Sequence, residues 1–246
     1  SGCLFFWRLS QMKMHNPFRN LSKFEWSLWI ASLIVVSSTF FLAGDFNILT
    51  LIASLIGVTA LIFIAKGDVI GQVLTVVFSL FYAVISLQFR YYGEMITYLG
   101  MTAPIAILSV ISWLKHPYRG TAEVKVHCLT RKQTLLMIIL TLAVTFGFYF
   151  ILAAFHTANL IISTISIATS FAASYLMLFR SPAYALAYAA NDIVLITLWI
   201  LATLDSLSYL PMVICFLMFF INDVYGFINW MKIRKKQALS DAISIS

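Results

Sequence analysis

The segment Ser208–Lys232, SYLPMVICFLMFFINDVYGFINWMK, decides the fold class of this chain. Before its terminal lysine it carries one charged side chain, Asp223, which lies within an otherwise apolar run. A bilayer core about 30 Å thick needs roughly 20 apolar residues in one helix. The segment therefore predicts a membrane-spanning helix that carries a few polar groups inside the bilayer.

The whole chain of 246 residues has the same character. Hydrophobic residues make up 62% and charged residues 10%, whereas a soluble protein is about half apolar and roughly a quarter charged. A water-soluble globule of this size could not bury so much apolar surface. The composition predicts an all-α, polytopic protein embedded in the lipid bilayer. It excludes a soluble enzyme, a disulfide scaffold, a coiled coil and a disordered chain.

Eight apolar runs are long enough to cross a bilayer, and short breaks with glycine, proline or charged residues separate most of them. The predicted transmembrane helices are 26–43, 46–65, 69–87, 93–114, 133–155, 158–179, 183–204 and 208–231. Residues 1–25 precede them, and we expect a cytoplasmic amphipathic arm on the membrane surface there, with a frayed terminus as the alternative.

The basic residues indicate the orientation of these helices. If the N-terminus is cytoplasmic, all of the 16 Lys and Arg residues except Arg90 fall on the cytoplasmic side. Excess Lys and Arg mark that side in membrane proteins. We therefore predict that both termini are cytoplasmic, together with a basic loop at 116–132 and a basic tail at 233–246. The same rule explains the net charge of +7 without a nucleic-acid partner.

Two groups of three helices, 46–115 and 158–232, are organised alike. In each group the first helix ends at a basic break, and the third closes with tryptophan and lysine, at Trp113–Lys115 and at Trp230–Lys232. A single helix at 133–155 links the groups, so the two run parallel. This 3+1+3 repeat predicts a substrate site near the membrane midplane between the groups.

The helix at 26–43 is an addition outside this repeat. Within the helix at 93–114, Pro104 predicts a kink because proline lacks the backbone N–H of a regular helix.

Few ionisable groups lie inside the helices, and such groups are costly in a membrane and mark functional sites. Asp192 and Asp223 have no Lys or Arg in any predicted span to neutralise them. Either they are protonated, or water solvates them, or a cation meets them. An alternative is that both only orient helices in a wet crevice.

Neutral polar and aromatic side chains follow helical spacing on three of the helices. Asn222, Tyr225 and Asn229 form one stripe, and Tyr188, Asn191 and Trp199 form another. The third stripe consists of Gln72, Thr75, Ser79, Tyr82 and Ser86. For Tyr82 and Tyr188 a purely structural role is equally open. The predicted substrate-binding residues are Asn191, Asn222, Asp192, Asp223, Gln88, Trp199, Tyr188, Tyr82, Tyr225 and Asn229.

No catalytic signature accompanies these residues. The chain has no P-loop, no GxSxG and no HExxH motif, and its histidines lie in or beside loops. We expect no metal, no cofactor and no enzymatic activity. An intramembrane enzyme or a structural membrane protein is the remaining alternative of a different class.

Asn191, the stretch Ile221–Trp230 and the stretch Leu87–Met95, in the order of a 3+1+3 repeat, resemble the PnuC family of bacterial vitamin transporters over about residues 46–236. The resemblance implies a SWEET-like fold, a homotrimer and a place in the bacterial cytoplasmic (inner) membrane. It also implies facilitated diffusion of nicotinamide riboside, made unidirectional when the cytoplasm phosphorylates the nucleoside on the way to NAD. Sister members carry thiamin or riboflavin, so these substrates stay open.

The chemistry of nicotinamide riboside suits the predicted residues. Its flat cationic ring would stack on Trp or Tyr, and its amide and hydroxyls would pair with Asn191, Asn222, Asn229 or Gln88. Asp192 or Asp223 would balance the charge of the ring. A phosphorylated nucleotide would meet acids without a basic partner, so we expect its exclusion. A proton- or cation-coupled transporter that uses the two aspartates is the second alternative.

Overall fold

The computed structural model describes residues 16–42, 47–88, 92–157 and 159–244. The predictions for residues 1–15 and for Arg90 lie outside these ranges. Within them, eight helices are long and apolar enough to cross a membrane, which confirms the all-α polytopic class and the predicted number. These helices are α1 (Lys23–Leu42), α2 (Ile48–Ala65), α3 (Val69–Gln88), α4 (Tyr92–Lys115), α5 (Arg131–Ala154), α6 (Leu160–Leu178), α7 (Tyr184–Asp205) and α8 (Leu210–Ile243).

Helix α4 is irregular in its middle. A π-helical turn occupies Tyr98–Thr102, between regular helix at Tyr92–Thr97 and at Ala103–Lys115. Pro104 lies at the start of the second regular part and cannot donate a backbone hydrogen bond into the preceding turn. Turns of this kind rotate the side chains that follow and occur often at functional sites.

Helices α2 and α6 end in the same way. Gly67 and Arg180 both adopt positive φ, at 69° and 58°. The N–H of Gly67 bonds the Ile64 carbonyl oxygen at 2.8 Å, and the N–H of Arg180 bonds the Met177 carbonyl oxygen at 2.9 Å. A left-handed residue just past the last turn is a common way to satisfy the final carbonyls of a helix. The two breaks between the first and second helices of the groups are thus built alike.

The helices pack as two groups that meet along two seams. Helix α3 lies against α2 and α4, and α7 lies against α6 and α8. The seams between the groups are α2 with α8 and α4 with α6. Helix α1 packs on α2 and α8, while α5 packs mainly on α6 and touches α4. The two groups are therefore related by an approximate twofold symmetry. The α2–α8 seam corresponds to the α4–α6 seam, and the position of α1 on α2 and α8 corresponds to that of α5 on α6 and α4.

Helix α5 is the least buried of the eight helices. Only 6% of its most apolar stretch is buried, and large apolar side chains such as Leu142 and Phe146 point outward. An exposed apolar surface of this size is stable only against lipid or another protein.

The short segment before α1 packs on the bundle. A turn of 3₁₀ helix at Pro17–Asn20 places Phe18 against Trp29 and Phe63, with ring centroids 5.3 and 5.1 Å apart. Helix α1 begins at Lys23, three residues before the predicted start of the first span. Buried Glu25 accepts hydrogen bonds from the backbone of Ser22, from Lys66 and from the Tyr225 hydroxyl. This segment therefore contacts α2 and α8.

The loop after α4 fastens the far end of α8. Helix α8 continues through most of the predicted tail, to Ile243. Its Gln237 side chain donates to Glu123 Oε1 at 2.8 Å and to the Val124 carbonyl at 3.0 Å, and it accepts from the Val126 N–H at 2.9 Å. The loop also donates from Val124 to the Gly67 carbonyl. It thus joins the end of α8 to the break that follows α2.

Candidate functional site

A cavity of about 70 Å³ lies between the two groups of helices. All six of their helices line it, and α1 and α5 do not. Its walls contain Gly57, Ala60, Leu61, Ile64, Gln72, Thr75, Phe78, Tyr98, Thr102, Ile105, Ala106, Ser109, Ser170, Ser174, Met177, Tyr188, Asn191, Asp192, Phe216, Phe219 and Asp223.

The most polar wall comes from α6, α7 and α8. Tyr188, Asn191 and Asp192 share one face of α7 because they are spaced at i, i+3 and i+4. The Tyr188 hydroxyl lies 3.0 Å from Ser174 Oγ, and Asn191 Oδ1 accepts from the Thr169 hydroxyl at 2.8 Å. These bonds fix both side chains, and they leave the Asn191 amide nitrogen as a donor for a ligand.

Asp192 and Asp223 meet across the α7–α8 contact. Each is 3% exposed, and their side chains lie within hydrogen-bonding reach of each other. Asp192 Oδ2 is buried and has no hydrogen-bond partner. Among the described residues that line the cavity, none is Lys, Arg or His. The acidic pair therefore faces a cavity without a positive side chain.

The remaining walls are aromatic and neutral. Phe78 of α3 lies 6.1 Å from Tyr98 and 5.6 Å from Phe219, measured between ring centroids. Gln72 of α3 is 1% exposed, and its amide nitrogen has no partner. Gly57 leaves room here, because a Cβ at this position would overlap the Phe219 ring. The cavity thus offers flat apolar faces and a spare amide donor opposite the acids.

Two tryptophans pack against each other at the end of the bundle that carries Lys115 and Lys232, here called the basic end. Trp113 donates from Nε1 to the Met177 carbonyl at 3.1 Å, and Trp230 donates to the Ile64 carbonyl at 2.8 Å. Each bond joins the third helix of one group to the first helix of the other. The two indole rings lie 5.5 Å apart and are 2% and 0% exposed.

A second cluster of aromatic residues lies toward the opposite end of the bundle. Tyr82 packs on Tyr98 with centroids 4.2 Å apart and on Phe216 with centroids 5.9 Å apart. The Tyr82 hydroxyl accepts a hydrogen bond from Trp199 Nε1 at 3.2 Å. Tyr82 and Trp199 therefore stand behind the cavity wall rather than in it.

The structure brings four of the predicted binding residues together in the cavity wall. They are Tyr188, Asn191, Asp192 and Asp223. Besides Tyr82 and Trp199 in the layer behind the wall, four predicted residues lie elsewhere.

Those four residues have other partners. Asn222 donates to Ser32 of α1 at 3.1 Å, Tyr225 donates to Glu25 at 2.7 Å, and Asn229 donates to the carbonyl of Ala65 at 2.8 Å. Gln88 is exposed at the end of α3, where its Oε1 lies 3.5 Å from Asn47 Nδ2.

Several wall residues were not among the predicted binding residues. Gln72 and Thr75 belong to a polar stripe on α3 at helical spacing, which is a signal that sequence reasoning can use. Tyr98 depends on the π-helical turn of α4, which periodicity does not reveal. Phe78 and Phe219 look like ordinary core residues in an apolar sequence.

Glu94 is a buried acid outside the cavity wall. It is 3% exposed, and its Oε1 lies 3.5 Å from the Ser166 hydroxyl, whereas Oε2 has no partner. In the described ranges, His, Cys, Asp and Glu form no group of three or more that could hold a metal ion.

A bundle of two parallel helix groups around a central cavity, with aromatic clusters toward both ends, is the architecture of a membrane transporter of the repeat type. The sequence profile of the family described as "Nicotinamide mononucleotide transporter" matches residues 47–232. The chain belongs to this family.

Similar proteins of known structure or sequence carry one name. The structure titled "Crystal structure of the Vitamin B3 transporter PnuC" superposes with a TM-score of 0.76 at 26% identity, over 89% of this chain and 94% of that one. The "Nicotinamide riboside transporter PnuC" of Neisseria mucosa is 26% identical over 86% of this chain and 82% of its own. The protein of the same name from Haemophilus influenzae is 22% identical over 85% of this chain and 90% of its own.

The resemblance to the PnuC family is thereby confirmed. The relatives are transporters, which agrees with the prediction that the chain is not an enzyme.

Proposed function

We propose that this protein carries nicotinamide riboside across the membrane, and that the substrate binds in the cavity between α2–α4 and α6–α8. The names of its relatives support the substrate. The observation that carries the proposal is the cavity itself, where an acidic pair and spare amide donors share the wall with aromatic rings.

The wall chemistry matches the three parts of the substrate. Tyr98, Phe78 and Phe219 present faces on which a flat cationic ring gains stacking and cation–π energy. The amide nitrogens of Asn191 and Gln72 are available to accepting oxygens of the substrate. The carboxyl pair supplies the counter-charge for the ring. We therefore assign the binding role to the cavity-wall members of the predicted set.

The same cavity disfavours binding of nicotinamide mononucleotide, the compound named in the description of the family. A phosphate adds a charge of about −1.5 to −2 at neutral pH. In the described part of the cavity wall it would meet Asp192 and Asp223 and no basic side chain. Burying an unpaired charge costs several kcal/mol, so we expect the riboside to bind and the mononucleotide to be excluded.

Transport proceeds by rocking of one helix group against the other about this site. The two seams, α2 with α8 and α4 with α6, are the surfaces that slide. As a facilitator the protein equilibrates its substrate, and phosphorylation in the cytoplasm traps the nucleoside on the way to NAD. We place the protein in the cytoplasmic (inner) membrane as a homotrimer with both termini inside. The charge distribution supports the orientation, and the family resemblance supports the trimer.

A proton-coupled mechanism is the second candidate, and the contact between Asp192 and Asp223 favours it. A buried carboxyl pair in a transport cavity is a common proton-binding element. A pH gradient across the membrane separates the two candidates, because facilitated diffusion depends on it only through the occupancy of the site.

The test uses purified protein in sealed liposomes and labelled nicotinamide riboside. We expect uptake to stop when the internal concentration equals the external one, at equal pH on both sides. Accumulation above that level without a trapping enzyme or an ion gradient would refute facilitated diffusion. A thermal-shift series with nicotinamide riboside, its mononucleotide, thiamin and riboflavin identifies the ligand, because a ligand of the native state raises its apparent stability. Stabilisation by thiamin or riboflavin alone would replace the proposed substrate.

A further inference from the structure

The carboxyl groups of Asp192 and Asp223 are in side-chain contact. They belong to neighbouring helices, and each is 3% exposed. A hydrogen bond between two carboxyl groups needs at least one proton, because an ionised carboxylate only accepts. Two such groups titrate as a pair rather than as independent residues.

The titratable groups near this pair are hydroxyls and a thiol, which are ordinarily uncharged at neutral pH. Tyr98 of α4, Tyr184 and Tyr188 of α7 and Cys215 of α8 lie close enough to interact with one or both carboxyl groups. Helices α2, α3 and α6 contribute only uncharged side chains to the described wall, among them Gln72, Thr75, Ser170 and Ser174. No side chain in this wall compensates a negative charge on the pair.

A buried charge without a counter-charge costs several kcal/mol, so the ligand-free cavity favours the uncharged pair with two protons. A cationic ring reverses this preference, since it supplies the missing counter-charge at close range. The pair then reaches neutrality with its ligand by giving up one proton. The second proton stays in the hydrogen bond between the two carboxyls.

We propose that binding of the cationic substrate expels one proton from the Asp192–Asp223 pair into solution. One carboxyl O–H bond breaks, the proton passes to water or buffer, and the resulting anion pairs with the ring cation. The inference rests on the proposed function for the site and its substrate. It concerns the binding step, which facilitated diffusion and proton coupling share.

The proposal makes binding depend on pH through the protein alone. The ring of nicotinamide riboside carries a fixed charge and has no proton to lose. While the pair holds two protons, the dissociation constant rises about tenfold for each pH unit of acidification, because one proton competes with one cation. A neutral ligand of the same shape, the reduced riboside with an uncharged dihydropyridine ring, binds without this dependence.

Titration calorimetry on the purified full chain measures the proton directly. Nicotinamide riboside is titrated at one pH in phosphate and in Tris, whose heats of ionisation differ. We expect the difference to correspond to one proton released for each ligand bound. The reduced riboside should release none in the same protein, a comparison that needs no substitution.

Substitutions then locate the proton. The double substitution Asp192→Asn and Asp223→Asn should abolish the release and weaken binding of the cation more than tenfold. Asp205→Asn, at the exposed end of α7, is the matched control and should keep the release of one proton.

Each outcome decides the proposal. Binding of nicotinamide riboside without proton release would overturn it and leave the proposed function intact. Release that survives the double substitution would overturn the assignment to this pair. No binding of the riboside at any pH would overturn the proposed function and this inference together.

Discussion

Substitution of two asparagines, Asn191 and Asn222, tests ligand binding and helix packing separately. Asn191 of α7 lines the cavity, and its amide nitrogen makes no hydrogen bond to the described residues, whereas Asn222 of α8 donates to Ser32 and to the Met218 carbonyl. The two substitutions Asn191→Ala and Asn222→Ala remove the same atoms. Their effects differ because the two side chains point to different partners.

The structure sets the expected magnitudes. Asn191→Ala removes a donor to the substrate in a buried site, which costs about 1–3 kcal/mol and weakens binding about 5- to 150-fold. The fold loses little, because the single hydroxyl proton of Thr169 can turn to the carbonyl of Ile165 or of Ser166, each 3.1 Å away. Asn222→Ala breaks the bond between α8 and α1, so the unfolding free energy falls by about 1 kcal/mol. Its dissociation constant for the substrate should change less than about twofold.

Calorimetry for the affinity and thermal unfolding for the stability, on the same two purified variants, check this prediction. Asn191→Ala should bind poorly and melt like the parent protein. Asn222→Ala should bind normally and melt at a lower temperature. If both variants lost affinity equally, or if Asn191→Ala bound like the parent protein, the assignment of the cavity as the binding site would be wrong.

Three further substitutions test the surroundings of the cavity. Gly57→Ala drives a methyl group into the Phe219 ring and pushes it into the ligand space, so we expect the dissociation constant to rise about tenfold or more. Trp113→Phe and Trp230→Phe each delete one indole hydrogen bond across a seam, and both should lower the unfolding free energy by a similar amount, about 1–3 kcal/mol. Gln237→Ala deletes three hydrogen bonds to the loop after α4, and limited proteolysis should then cut that loop several times faster.

Each of these three predictions has a control variant or a result that would contradict it. Gly100→Ala is the control for the first, since a Cβ there meets no atom within 4 Å, and it should leave affinity unchanged. A large difference between the two tryptophan variants would contradict the equivalence of the seams. Unchanged loop cleavage in the glutamine variant would show that its hydrogen bonds do not hold the loop.

Part of the fold could be predicted because the membrane imposes simple rules. Uninterrupted apolar runs are enough to find helices, since a spanning segment must satisfy its own backbone. The tryptophans at 113 and 230 indicated an internal likeness, and in the structure each contacts the first helix of the other group. Lone aspartates in apolar helices likewise indicated the position of the cavity, because an ionisable group inside a membrane is costly and marks a functional site.

The sequence of α8 alone could not show which of its faces points into the cavity. Asn222, Tyr225 and Asn229 form a polar stripe, and a polar stripe suggests a cavity. Here the stripe meets polar partners on α1 and α2, including Glu25 and Ser32. Spacing along one helix cannot tell a ligand from a polar neighbouring helix. Tyr98 escaped prediction for a different reason, because a π-helical turn changes the angular position of side chains without a periodic signal.

Helix α8 is long enough that a small tilt at the cavity would move its far end by a larger distance. Its 34 residues extend about 50 Å, well beyond a bilayer core of about 30 Å. Gln237 lies about 21 Å along the helix axis from Asp223. A rigid tilt of about 5° centred on the cavity would therefore displace Gln237 by roughly 2 Å, and a hydrogen bond of 2.8 Å does not survive such a shift. Sub-ångström adjustments around the ligand would thus become larger displacements at the far end of α8. A fluorophore attached there would report on occupancy of the cavity without contacting the ligand.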